Sequence, residues 1–102
     1  MAHPYDPRDN YRRLLFPIGA LILSEGIDRL MREGRLDPMS YFRRHTRGDW
    51  GDVTDEQWQQ NNAALKSGER LDSLYIVTRE LRIRIFTEAD RRATHIVLPS
   101  EH

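Results

Sequence analysis

The chain has no cysteine among its 102 residues. That removes disulfide scaffolds, thiolate zinc sites and cysteine nucleophiles together. It also lacks an excess of either charge, because sixteen basic residues oppose sixteen acidic ones. The broad basic field of a typical nucleic-acid binder is therefore missing. No serine sits in a nucleophile-elbow context, and no glycine-rich phosphate loop is present. The four histidines (His3, His45, His95 and His102) show no i, i+4 pairing, so no zinc helix is encoded. Long apolar runs are scarce too. Leu14 to Leu23 (LLFPIGALIL) contains Pro17 and Gly19 and is too short to cross a bilayer as a helix. Asp6 and Asp9 ahead of it, and Ser24-Glu25-Gly26 behind it, fit a secretory leader poorly. A buried strand and a soluble, cytoplasmic protein are the expectations.

Leu, Ile, Val and Phe make up about a quarter of the chain. With zero net charge, that is enough apolar surface for one modest core. Residues 1–13 are rich in Pro, Asp, Asn and Arg without periodicity, and read as an irregular arm before a single domain over 14–102. Ile18 to Leu23 reads as a central strand. Ser24 then caps a short helix with Ile27, Leu30 and Met31 on one face, ended by Gly34. Asp37 and Pro38 open a second helix bearing Met39, Tyr41 and Phe42. Its last turn crowds Arg43, Arg44, His45 and Arg47, as positive charge suits that end of the dipole, and Gly48 stops it. Thr54 and Gln57 form a capping-box pattern for a third helix, which carries Trp58 and Leu65 and stops near Gly68.

From Leu71 the period changes to alternation. Leu74 and Ile76 point one way, as do Leu81, Ile83 and Ile85, while Arg82 and Arg84 face the other way. Ile96 and Leu98 make a last strand closed by Pro99. Arg79-Glu80 and Glu88 to Arg92 read as turns. The sum is an α+β fold: a four-stranded, mostly antiparallel sheet, made of one N-terminal strand and a C-terminal meander, with about three short helices on one face.

Charge is uneven within this frame: +3 over residues 1–48, −4 over 49–72 and +1 beyond. Fifteen of the sixteen basic residues are arginine, with Lys66 the exception. Arginine's planar fork suits carboxylate and phosphate recognition, and a compositional bias explains the excess equally well. Gly48-Asp49-Trp50-Gly51-Asp52 offers two glycines, two carboxylates and a large ring. It reads either as a recognition loop or as a structural corner in which Asp52 or Thr54 caps the helix and Trp50 plugs the core. Glu88, Asp90 and Arg91, in Thr87-Glu88-Ala89-Asp90-Arg91-Arg92, form the second candidate. These acids could join Asp49 and Asp52 around a divalent cation, or merely stabilise a hairpin turn. No ligand spacing supports the first option, so neither metal nor cofactor is expected. Arg82, Arg84, Arg92 and His95 are the residues that would contact a phosphodiester and move a proton, if the sheet face does so.

The segments FPIGALILSEGIDRL, FRRHTRGDWGDV, NNAALKSGERLDSLY and IFTEADRRATHIVLP, in this order, resemble a family of small proteins carried on bacterial plasmids and integrated mobile elements. Some of these are labelled type I restriction subunits. The resemblance runs from about Phe16 to Pro99. This chain departs from the family's usual Pro-Gly helix start at Ser24-Glu25-Gly26, and from its Asp-Gly hairpin turn at Thr78-Arg79-Glu80. The resemblance implies a mobile-element context and carries over no catalytic residue. A restriction methyltransferase subunit would need a cofactor domain far larger than this chain.

Two functions follow as expectations. One is a non-catalytic accessory module acting on a protein partner, with weak nucleic-acid binding at most, no membrane, and homodimerisation left open. The other is a small ribonuclease similar in topology to the RelE/ParE toxins, although such toxins are usually basic.

Overall fold

Local chemistry sets the helix ends. A computed structural model describes residues 14–101, and the arm expected over 1–13 lies outside them. Ser24 Oγ accepts from the Ile27 amide to start α1 (Glu25–Arg32). Gly34, just past it, has φ +72°, a value an L-residue resists. Asp37 Oδ1 accepts from the Met39 amide at the head of α2 (Pro38–Thr46). Thr54 Oγ1 accepts from the Gln57 amide at the head of α3 (Asp55–Ser67), which Gly68 ends. Gln57 completes only half of the expected box, since its side chain turns forward to Asn61.

The strands are β1 (Ala20–Leu23), β2 (Leu71–Ile76), β3 (Arg82–Thr87) and β4 (Ala93–Val97). They form one sheet in the order β1-β4-β3-β2, with β2, β3 and β4 antiparallel and β1 parallel to β4. The fold is α+β, as the alternation and capping signals imply. Three corrections concern its faces. First, β1 is an edge strand rather than a central one, and Ile22 is 44% exposed. Its apolar continuity arises because Leu21 and Leu23 face the helices while Ile22 faces away. Second, Leu74 and Ile76 do not share a face with Ile83 and Ile85. Tyr75 pairs with Ile83 and Ser73 with Ile85, so Leu71, Ser73 and Tyr75 turn to the core, while Leu74 and Ile76 lie beside Arg84 and Arg82. Third, Met31 lies on the exposed side of α1, which buries Ile27 fully.

The three described helices cover one face. Ile27, Leu36 and Phe42 pack on Tyr75, Ile83, Ile85 and Ile96. A second cluster joins Phe16, Trp50, Ala64 and Leu71, with Trp58 and Leu65 against it. The opposite face carries no described helix. By register it presents Ile22, His95, Phe86 and Asp72 in one row, with Arg84 and Leu74 in the next. No described helix is long and apolar enough to cross a membrane.

Candidate functional site

Residues of α2, β2, β3 and β4 meet through a buried polar chain that alternation alone does not announce. His45, on the last turn of α2, is fully buried. Its Nδ1 lies 2.6 Å from Ser73 Oγ and its Nε2 3.0 Å from Thr87 Oγ1. Thr87 Oγ1 in turn lies 2.8 Å from Thr94 Oγ1, and Thr94 donates to the Ile18 carbonyl. That last bond orients the rest. The Thr94 proton is committed to a carbonyl, so Thr87 donates to Thr94 and accepts from His45 Nε2–H. Because burial keeps the ring neutral, Nδ1 carries no proton and accepts from the Ser73 hydroxyl. Burial, seconded by the Arg91 charge, pushes the imidazole pKa down to about 3. The expected positive charge at this helix end is thus carried by the arginines and not by His45.

Trp50 is fully buried beside it, 5.5 Å from the imidazole and 6.2 Å from the Phe16 ring, and its Nε1–H donates to Asn62 Oδ1. Gly51, at φ +80°, lies so close to β2 that a Cβ would stand 2.2 Å from the Leu74 carbonyl oxygen. Asp49 pairs with Arg44 at 2.8 Å and accepts from the Gly51 amide. The Arg44 contact holds the Asp49 carboxyl below the usual range. Tyr75 Oη donates to the Asp49 carbonyl, and burial pushes the phenol up. Asp52 does not start the helix, which Thr54 does. Its carboxylate accepts from the Ile76 amide, on the outer edge of β2.

The Thr87–Arg92 turn is built in the same manner. Asp90 Oδ1 accepts from the Arg92 amide, and Glu88 Oε2 lies 2.6 Å from His95 Nε2. Arg91 takes φ 60°, and its guanidinium donates to the carbonyls of Ala64 and Glu69 at the end of α3. Asp49, Asp52, Glu88 and Asp90 do not converge. Among the described residues, no three acidic or histidine side chains could share a metal ion.

The remaining candidates divide between two surroundings. Arg82, Arg84 and His95 lie on the helix-free face, where His95 stacks on Phe86 at 4.6 Å and Arg84 pairs with Asp72 at 3.6 Å. Arg92 is exposed and paired with Asp90. A shallow groove of about 340 Å³ borders this face, lined by Asp52, Val53, Thr54, Gln57, Asp72, Leu74 and Arg84. Strand periodicity alone does not mark the internal chain of Ser73, Thr87 and Thr94. Its one signal is small hydroxyl residues at inward strand positions, between Leu71 and Tyr75 and after Ile85. No family profile, curated protein or solved structure matches the chain.

Proposed function

We propose that the protein is a non-catalytic module that binds a protein partner through the helix-free face of its sheet. The cellular setting is a cytoplasmic accessory of a mobile element, a context that rests on the motif resemblance. The reading is supported by one contrast. Asp49, Asp52 and Asp90 bond backbone amides, Glu88 bonds His95, and His45 is buried and neutral. The helix-free face meanwhile leaves Ile76 49% exposed beside its strand partner Arg82, with the Leu74–Arg84 groove adjoining. Arginine among exposed apolar groups is the composition of protein interfaces. Affinity capture with the full chain tests it. Partner recovery should persist in Glu56→Gln, on α3, and disappear in a folded Ile76→Glu/Arg82→Glu double variant. Equal recovery by all three would refute the face assignment.

A ribonuclease is the second reading, favoured by the His95–Glu88 pair on the same face, since a carboxylate that orients an imidazole suits proton transfer. RNA cleavage, or toxicity on induction, lost in His95→Ala would establish it in place of the first.

A further inference from the structure

The two edges of the sheet are finished differently. At β2 the outward amides of Asp72, Leu74 and Ile76, and the carbonyls of Asp72 and Leu74, are engaged. Asn61 accepts from the Asp72 amide and donates to the Asp72 carbonyl at 2.7 Å. Leu74 donates to the Trp50 carbonyl, and its own carbonyl accepts from the Asp52 amide at 2.6 Å. The Asp52 carboxylate takes the Ile76 amide at 2.9 Å. From Asp72 to the Ile76 amide, this edge is closed to a further strand.

At β1 the hydrogen bonds run only inward. The Ala20 amide donates to the Arg92 carbonyl and the Ser24 amide to the Ile96 carbonyl. With the parallel register, these bonds turn even-numbered residues to β4 and point the amides and carbonyls of Leu21 and Leu23 outward. Among the described residues nothing bonds them. The strand Ala-Leu-Ile-Leu carries no charge, proline or bulge, the usual devices that keep an edge from pairing.

We infer that the outer edge of β1 pairs antiparallel with β1 of a second copy of the chain, making one continuous sheet across a twofold axis. The occupant follows from self-complementarity. The outward groups of Leu21 meet those of Leu23 of the second copy and the reverse, which centres the axis on Ile22. The exposed Ile22 then covers its own counterpart, in the close, non-hydrogen-bonded position. This inference is independent of the partner reading, which uses the Ile76–Arg82 end of the opposite edge.

Sedimentation velocity on the full chain, with amide exchange on the same samples, tests it. Wild type should pass from monomer to dimer with rising concentration. Over that range the Leu21 and Leu23 amides should gain protection while that of Ile22 stays constant. Ile22→Lys and Ile22→Glu place like charges opposite each other, so each alone should be monomeric, and an equimolar mixture should restore a heterodimer. Matching circular dichroism melts confirm that both fold. A wild type that stays monomeric, protection that rises elsewhere, or dimers that persist in both variants would overturn it.

Discussion

Arg44, His45, Asp49, Trp50, Gly51 and Asp52 each have a partner within the fold, and the energies differ by environment. Trp50 fills the centre of a packed cluster, so Trp50→Ala should cost roughly 3–5 kcal/mol. Asp49→Asn should be milder, because the Arg44–Asp49 pair is half-exposed and screened. Urea denaturation decides, and an unchanged midpoint for Trp50→Ala would contradict the packing described. His45 makes a pH-dependent contribution. Its folded pKa is about 3 against an ordinary value of 6.5. Between these values the unfolded chain binds a proton that the folded chain refuses. The contribution is therefore complete above about pH 6.5 and declines toward pH 3, by up to about 1.4 kcal/mol per pH unit. Asp49 and Glu101 have lowered pKa values, so they lose their contributions only within and below the usual carboxylate range. Across the interval from about pH 6.5 to about pH 5 the His45 contribution is the difference between wild type and His45→Gln. The denaturation midpoint should fall more steeply across it in wild type than in His45→Gln.

Among the elements, the caps and glycine stops form where the sequence places them, since each is a contact within a few residues. Edges depend on partners far along the chain. The stretch from Trp50 to Asp52 runs beside β2 through a single parallel bridge at Gly51 and Leu74, and Asn61 of α3 closes the next position. Asn61→Ala leaves the part-buried amide and carbonyl of Asp72 without their partner and should cost about 1 kcal/mol, the low end for such groups. Asp52→Ala should cost less, since water replaces it at the exposed Ile76, but should open the edge and raise light scattering on storage. Equal solubility of Asp52→Ala and wild type would show that the carboxylate does not guard this edge.

For the whole molecule, balanced charge and internal pairing bear on what it can hold. With all four candidate carboxylates engaged within the fold, Mg²⁺, Mn²⁺, Ca²⁺ or Zn²⁺ should shift the melting temperature little relative to EDTA. A saturable rise of several degrees that Asp49→Ala abolishes would show a site, since a ligand of the folded state must stabilise it. What the sequence determined by itself was the class of fold, the three helices with their caps, the strand segments of the meander and the absence of thiol chemistry. These follow from periodicity, capping and composition, which act over a few residues. Only the tertiary structure decided that β1 is an edge, that Tyr75 rather than Leu74 faces the core, and that His45 is a neutral link between Ser73 and Thr87. In each case a residue's surroundings come from segments dozens of positions away: pairing register sets which face a side chain takes, and burial sets whether an imidazole keeps its proton.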